Sequence, residues 1–181
     1  MLEFHEILLI GALLVLAGMV ILPIFSGAPW HPLLPGTIRR ILRFADIRPG
    51  ETICDLGCGE GRVLITSAKE FFTRAIGVEI DPIKVVIARL LARINGVSDR
   101  VQIVRGNMFD FDPGSADVLY LYLTHQAMDR LFPEILKKLK PSVRIVSYRF
   151  CLRGMTPDKV SEDKTLFLYQ LDKGTKINTY H

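Results

Sequence analysis

The stretch Thr52-Ile53-Cys54-Asp55-Leu56-Gly57-Cys58-Gly59-Glu60-Gly61-Arg62 decides the fold of this chain. It begins with a short apolar run, which is typical of a buried strand. Three glycines then stand at alternate positions, and glycine lets a backbone turn sharply and approach a ligand too closely for any side chain. A helical pattern follows, so the amides at its start face the same loop. The stretch therefore predicts a strand, a ligand-binding loop and a helix.

The remainder of the chain continues this alternation of strands and helices. Strands are predicted at residues 51–56, 75–80, 101–104, 117–123, 143–150 and 165–171. Helices are predicted at 38–45, from the loop to 71, at 82–94 and at 126–139. This order predicts an α/β fold with a doubly wound, mostly parallel sheet that binds ligands at the carboxyl ends of its strands.

Two of the predicted helices carry start signals. Thr37 is predicted to cap the first helix, and Asp81 to cap the third, with Pro82 in its first turn. Apolar residues recur at helical spacing through the third helix, at Ile83, Val86, Ile87, Leu90, Leu91 and Ile94. Asn95 and Gly96 then predict its end.

Two carboxylates frame the glycine loop and indicate the kind of ligand. Glu79 ends the second predicted strand, where it can accept both ribose hydroxyls of a nucleoside. Asp55 stands directly before the loop, where its charge would repel a pyrophosphate but suits a cationic ammonium, such as that of S-adenosylmethionine. A dinucleotide is also disfavoured because Arg62 occupies the sixth position of G-x-G-x-x-G, which requires glycine.

Composition limits the class of protein. Of the 181 residues, 49% are hydrophobic and 23% are charged. These values fit one globular domain and exclude a disordered, collagen-like or disulfide-scaffold chain. The cysteines at Cys54, Cys58 and Cys151 lack the paired spacing of a metal site, so no metal is expected.

The hydrophobic residues concentrate near the amino terminus. Sixteen of the nineteen residues at 7–25 are strongly apolar, and no Asp, Glu, Lys or Arg lies between Glu6 and Arg39. Nineteen helical residues span about the 30 Å of a bilayer core. Residues 7–25 are therefore predicted to cross a membrane, within an anchor at 1–30. A Pro-rich linker at 31–36 and a domain at 37–181 would follow it.

Basic residues predict the orientation of this span. None precede it, whereas Arg39, Arg40, Arg43 and Arg48 follow it. The positive-inside rule places the amino terminus outside and the domain in the cytoplasm, as a single-pass protein of the cytoplasmic membrane. A cleaved signal peptide is the alternative, because small residues follow the apolar run, but its usual basic start is missing.

Six segments between residues 35 and 160 share the pattern of a known family. They are Arg39-Arg40-Ile41-Leu42, the loop at 55–62, Gly77-Val78-Glu79-Ile80, Gly106-Asn107-Met108-Phe109, the strand ending Leu123-Thr124, and Val146-Ser147-Tyr148-Arg149-Phe150. On these segments the chain resembles the class I, seven-strand S-adenosylmethionine-dependent methyltransferases. It is most similar to small archaeal protein-lysine methyltransferases and their membrane-anchored relatives.

The resemblance implies S-adenosylmethionine as the cofactor. The residues it assigns to cofactor binding are Asp55, Leu56, Gly57, Gly59, Gly61, Glu79, Ile80, Asn107, Met108 and Phe109. By resemblance, Asp55 and Gly57 hold the methionine part and Glu79 holds the ribose. Asn107 meets the amino edge of the adenine, Ile80 forms an apolar wall, and Met108 or Phe109 lies against the ring.

The resemblance also implies an acceptor, namely a lysine of a protein at the membrane. Tyr122, Thr124 and Ser147 are the catalytic candidates, at the carboxyl ends of the fourth and fifth predicted strands. Tyrosine can pack against a lysine stem and accept a hydrogen bond from its amine.

Other functions stay open at this point. The acceptor could be a lipid headgroup amine or a small lipophilic molecule, and a nucleoside-binding membrane adaptor would have no activity at all. The lipid bilayer and a protein substrate are the expected partners. Nucleic acid is not expected, because Leu123-Thr124-His125-Gln126 replaces the acidic or amide residue, two prolines and aromatic residue common in nucleic-acid amino methyltransferases.

Overall fold

The computed structural model describes residues 5–6, 9–11 and 33–171 of the chain. The predicted span at residues 7–25 lies almost entirely outside the described residues, as does most of the predicted anchor at 1–30. Within the described ranges, no helix is long and apolar enough to cross a bilayer. Residues 33–171 form the folded domain.

Seven strands form one sheet: β1 (Thr52–Leu56), β2 (Arg74–Glu79), β3 (Val101–Arg105), β4 (Val118–Leu121), β5 (Arg144–Tyr148), β6 (Lys159–Val160) and β7 (Leu166–Gln170). Their order across the sheet is β3-β2-β1-β4-β5-β7-β6. The first five strands pair in parallel, and β7 pairs antiparallel with β5 and with β6. The predicted mostly parallel, seven-strand sheet is confirmed. Its strand order reverses between β1 and β4, which is where such sheets bind ligands.

Four helices flank the sheet: α1 (Pro35–Phe44), α2 (Arg62–Glu70), α3 (Pro82–Ile94) and α4 (His125–Leu136). The cap at the start of α3 is confirmed, because the Asp81 carboxylate accepts hydrogen bonds from the amides of Ile83 and Lys84. The cap predicted at Thr37 is wrong. Helix α1 already begins at Pro35, whose fixed φ suits a first helical turn, so Thr37 lies inside the helix.

Alternate residues of the strands point into two separate cores. Ile53 and Tyr120 belong to the core under α1, α2 and α3. Cys54 and Leu119 belong to the core under α4 and the loop at 106–117. Helices therefore cover both faces, as the alternation of strands and helices predicts.

Helix α1 runs from the carboxyl edge of the sheet to its amino edge. Arg144, the first residue of β5, donates to the backbone carbonyls that directly follow α1. Nearer the start of the helix, Arg40 pairs with Asp163, in the turn before β7. That turn lies at the carboxyl edge, since Leu166 of β7 is in register with Tyr148 at the end of β5. The chain thus enters the domain at the edge that carries the glycine loop.

Helix α3 turns small residues toward the sheet and large ones toward solvent. Its buried residues are Val85, Ala88 and Ala92. The packing is tight, because a Cβ built on Gly61 would lie 3.3 Å from the Cβ of Ala88. Large members of the predicted apolar pattern are exposed instead: Ile83 (44%), Val86 (63%), Leu90 (54%) and Ile94 (69%). These four residues are called the α3 stripe below.

Candidate functional site

The glycine loop between β1 and α2 takes backbone conformations that favour glycine. Gly57, Gly59 and Gly61 have φ angles of 85°, 56° and 72°. The amides of Gly57 and Cys58 both donate to the carbonyl of Val78, at 2.9 and 3.0 Å, which ties the loop to β2. A Cβ built on Gly59 would meet no described heavy atom within 4 Å. The loop therefore borders open space in which a ligand fits.

Glu79, the last residue of β2, is held against this loop. Its Oε2 accepts a hydrogen bond from the amide of Gly59 at 2.8 Å, and its Oε1 accepts one from the amide of Asp81 at 3.0 Å. The residue is only 7% exposed, so both bonds are shielded from water. Each carboxylate oxygen keeps acceptor capacity for another donor. This arrangement suits the contact with two ribose hydroxyls that was predicted for Glu79.

Replacing Glu79 with glutamine is expected to weaken S-adenosylmethionine binding by about 100-fold, because charge-assisted hydrogen bonds are lost. The amide nitrogen would also face a donor, either a backbone N–H or a ribose hydroxyl. Titration calorimetry with S-adenosylmethionine measures the change. Glu60→Gln is the matched control in the same loop, where Glu60 pairs with Arg62. Equal affinities of the Glu79→Gln variant and the parent protein would contradict the ribose contact.

Asp55 lies in β1 directly before the loop and is 4% exposed. It is in register with Gly77 of β2 and Tyr120 of β4, so it lies at the point where the strand order reverses. Burial raises the pKa of Asp55 to about 8, and the charge of Glu79 adds to the rise. A cationic ligand would oppose both effects, because it favours the ionised carboxylate. The position thus fits a cofactor with an ammonium group.

The residues predicted to surround the adenine differ in exposure. Ile80 is 54% exposed, and Asn107 is exposed with its Oδ1 accepting from the amide of Phe109 at 3.2 Å. Met108 is 8% exposed and packs in the core. The guanidinium of Arg130 lies 4.9 Å from the ring centroid of Phe109. Ile80 and Asn107 are therefore the two residues of this group most open to a ligand.

Two tyrosines meet where β4 and β5 end. The ring centroids of Tyr122 and Tyr148 are 5.0 Å apart, and the guanidinium of Arg149 lies 5.6 Å from the centroid of Tyr148. Arg149 has a φ of 69°, a strained value for a residue with a side chain. Burial raises the pKa of Tyr122, while Arg149 opposes that rise and Tyr148 adds to it. Tyr122 is therefore a neutral hydroxyl at neutral pH, able to donate or accept a hydrogen bond.

Three predicted site residues have structural roles. Leu56 is 1% exposed and packs in the core beside α4, which leaves its backbone to face the loop. Thr124 caps α4, since its hydroxyl accepts from the amide of Ala127 at 3.3 Å. Ser147 is fully buried and donates to the carbonyl of Phe150. Of the three catalytic candidates, Tyr122 is therefore the one whose side chain is best placed to contact an acceptor.

Tyr120 brings a polar group into the core under α1, α2 and α3, next to Asp55. It is 2% exposed, and its hydroxyl has no hydrogen-bond partner among the described residues. It lies beside Asp55 in the sheet, and burial, followed by the Asp55 charge, raises its pKa well above the usual range. A buried hydroxyl without a partner is costly, and an acceptor group on a bound ligand would satisfy it. Sequence spacing does not single out Tyr120, because large residues of core strands alternate in the same way.

The domain is similar in sequence to known methyltransferases. Residues 55–159 match the family model described as the ANTKMT methyltransferase domain. The chain is 36% identical over 148 residues to a protein-lysine N-methyltransferase of Saccharolobus islandicus (strain REY15A), covering 78% of this chain and 92% of that protein. It is 25% identical over 177 residues to a Xenopus laevis lysine N-methyltransferase named for a subunit of ATP synthase, covering 93% of this chain and 77% of that protein.

A solved structure is similar over the whole domain. It is the RNA methyltransferase from Salinibacter ruber in complex with S-adenosyl-L-homocysteine, at a TM-score of 0.80 and 30% identity. The similarity covers 83% of this chain and 100% of that chain. S-Adenosylhomocysteine is S-adenosylmethionine without its transferable methyl group, so a protein of this fold holds the cofactor predicted here.

Proposed function

This chain belongs to the ANTKMT methyltransferase family and is an S-adenosylmethionine-dependent methyltransferase, and we propose that it methylates lysine side chains of a protein at a membrane surface. The main support for lysine as the acceptor is the similarity to a protein-lysine N-methyltransferase over nearly all of that protein's length. The similarity to a second lysine N-methyltransferase, from Xenopus laevis, supports the same acceptor class.

The residues around the glycine loop fit the cofactor. When bound, S-adenosylmethionine supplies a methyl group that its sulfonium sulfur activates for transfer. Asp55 would hold the ammonium group and Glu79 the ribose. Gly59 leaves open the space beside the loop, which a side chain at this position would enter.

The tyrosine pair suits a lysine acceptor. The acceptor nitrogen needs a lone pair, but a lysine with a pKa of about 10.4 is neutral in only about one molecule in several thousand at pH 7. Tyr122 and Tyr148 offer half-buried aromatic surface against which a lysine stem can pack. The guanidinium of Arg149, beside the Tyr148 ring, disfavours the charged lysine ammonium by like-charge repulsion. This repulsion favours the neutral amine, and the tyrosine hydroxyls can accept its N–H groups.

The proposal includes a membrane anchor at residues 7–25, with the amino terminus outside and the domain in the cytoplasm. The uncharged apolar run and the arginines that follow it support this placement. The similarity to the Xenopus laevis protein covers 93% of this chain. Residues 37–181 alone are a smaller share of the chain, so the similarity extends into the residues before position 37. The anchor would limit the acceptors to proteins at the cytoplasmic face of the membrane.

Membranes from cells that carry this chain, incubated with methyl-labelled S-adenosylmethionine, test the acceptor and the anchor together. The full chain should sediment with the membranes and resist alkaline extraction. The label should appear on lysines of a membrane protein, located by mass spectrometry of its peptides. Gly59→Arg is the inactive control, because its side chain would fill the open space beside the loop.

Other destinations of the label would indicate other functions. Label in the lipid extract would identify a lipid headgroup amine or a small lipophilic acceptor. Label in RNA would match the activity named for the Salinibacter ruber protein. Cofactor binding without any transfer would indicate an adaptor. Each of these results contradicts lysine as the acceptor, and a chain in the soluble fraction contradicts the anchor.

A further inference from the structure

The α3 stripe is a row of large apolar side chains in contact with solvent. Its members follow one another at intervals of three or four residues, which places them on one helix face. The other helices differ, because every exposed residue of α1, α2 and α4 is charged, an amide, glycine or proline. A contiguous exposed apolar row of this kind marks an interaction surface rather than chance exposure.

The charge of α3 indicates what the stripe contacts. Lys84, Arg89 and Arg93 are the ionic residues of the helix, and residues 82–94 contain no Asp or Glu. Arg89 and Arg93 are exposed and directly precede two members of the stripe. Arg89 is held there by its donation to the carbonyl of Ile103 at 2.7 Å. Apolar residues on one face with arginine or lysine beside them are typical of a helix that lies on an anionic bilayer.

We propose that the α3 stripe rests on the anionic lipid surface of the membrane that holds residues 7–25. This inference rests on the anchor of the proposed function. Nine residues, 26–34, join the predicted span to α1, and at about 3.3 Å each they reach at most about 30 Å. That reach is no longer than the diameter of a domain of this size. The linker therefore keeps the domain as a whole close to lipid, and contact would remove the apolar surface of the stripe from water.

This contact would set the direction in which the active site faces. Helix α3 leaves β2 at the carboxyl edge of the sheet and leads to β3 at the amino edge, so it runs antiparallel to both strands. A bilayer against α3 would thus extend along the strands instead of across their ends. The carboxyl edge, with Glu79 and Tyr122, would open sideways over the lipid headgroups. An acceptor lysine at headgroup height could then enter the site.

A fluorescent label at Leu90 tests the contact in the full chain. The labelled protein is Leu90→Cys in a Cys151→Ser background, since Cys151 is exposed and the cysteines at 54 and 58 are buried. The matched control is Glu134→Cys, an exposed residue of α4 on the opposite face of the sheet. Both proteins are reconstituted in phosphatidylcholine vesicles that contain phosphatidylglycerol. Nitroxide-labelled lipid should quench the label at 90 several-fold more than the label at 134, and iodide should do the reverse.

Three results would overturn the inference, and they identify different causes. Protein that does not sediment with the vesicles overturns both the anchor and the lipid contact. Sedimenting protein with equal iodide quenching at both positions overturns the lipid contact alone. Shielding at position 90 from both nitroxide-labelled lipid and iodide assigns the stripe to a protein surface. That surface is another copy if the shielding depends on protein concentration, and the chain's own amino-terminal segment if it does not.

A charged variant provides an independent measurement. Val86→Glu combined with Leu90→Glu places two carboxylates on exposed positions, so the fold and S-adenosylmethionine affinity should be retained. Repulsion from anionic lipid should lift the helix and raise iodide quenching of a label at Ile94→Cys several-fold. Unchanged quenching at that position would overturn the inference.

Discussion

Replacing Asp55 with asparagine is expected to abolish methyl transfer and, at the same time, to stabilise the free protein near pH 8. The loss of activity follows from charge. An asparagine amide cannot compensate a buried ammonium, and removing one partner of a buried ion pair costs about 3–5 kcal/mol, which corresponds to more than about 100-fold in affinity. The variant should show no measurable transfer at ordinary cofactor concentrations.

The gain in stability follows from the pKa of Asp55, which is raised to about 8 in the folded protein. In the unfolded chain an aspartate has a pKa of about 3.9, so between these values the folded state binds more protons. The contribution of Asp55 to the free energy of unfolding is complete below about pH 4 and is lost as the pH rises toward 8. Asparagine is neutral at every pH and avoids this loss, which amounts to about 2 kcal/mol or more near pH 8.

Calorimetric unfolding of both proteins without cofactor measures this effect. The Tm of Asp55→Asn should exceed that of the parent protein by several degrees near pH 8 and by less near pH 5. Asp117→Asn is the control of opposite sign. Burial of Asp117 is outweighed by hydrogen bonds from Lys140 at 2.6 Å and the amide of Thr52 at 2.8 Å, which lower its pKa. A lower Tm for Asp55→Asn near pH 8 would show that its carboxylate is stabilised in the free protein.

Replacing Gly77 with alanine should destabilise the domain and distort the cofactor loop together. A Cβ at Gly77 would lie 2.4 Å from Cδ1 of Leu64 and 2.6 Å from Sγ of Cys58. Leu64 is completely buried and cannot move aside, so the strain falls on the glycine loop that contains Cys58. Overpacking of this severity costs about 3 kcal/mol. The Tm should fall by about 6–12 °C, with S-adenosylmethionine affinity reduced at least tenfold.

Gly106→Ala is the matched control for this substitution. Its Cβ would meet Cγ2 of Val78 at 3.5 Å, which is an ordinary van der Waals distance. Its Tm should stay within about 2 °C of the parent protein. A Gly77→Ala variant as stable as Gly106→Ala would mean that β2 and α2 can separate without cost, contrary to the close packing described above.

The cofactor half of the site could be predicted because its signals are local. Positive φ angles at Gly57, Gly59 and Gly61 require glycine, so the backbone geometry is visible in the sequence itself. Asp55 and Glu79 lie at the ends of two neighbouring strands, and the apolar runs that define those strands also fix the positions of the carboxylates. The cap at Asp81 could also be predicted from sequence, because its carboxylate bonds to amides only two and three residues away.

The acceptor half depends on contacts that sequence spacing does not contain. Serine and threonine can serve catalysis, cap a helix or bond a carbonyl, and only the fold shows that Thr124 caps α4 and Ser147 bonds the backbone. In α3 both faces are apolar, so periodicity cannot decide which one meets the sheet. The close approach of Gly61 to Ala88 decides it. Strand β6 has two residues, too few for any alternation to be seen.

The entry of the chain at Pro35, on the carboxyl edge of the sheet, would have a kinetic consequence under the proposed membrane anchor. Residues 26–34 would then act as a tether and confine the active site to a shell about 30 Å deep beside the membrane. Within that shell each acceptor protein would be present at an effective concentration far above its average in the cell. The acceptor pocket can then bind lysine weakly and still methylate it often. Selectivity would come from the location of the acceptor, because lysines beyond the reach of the tether would stay unmodified.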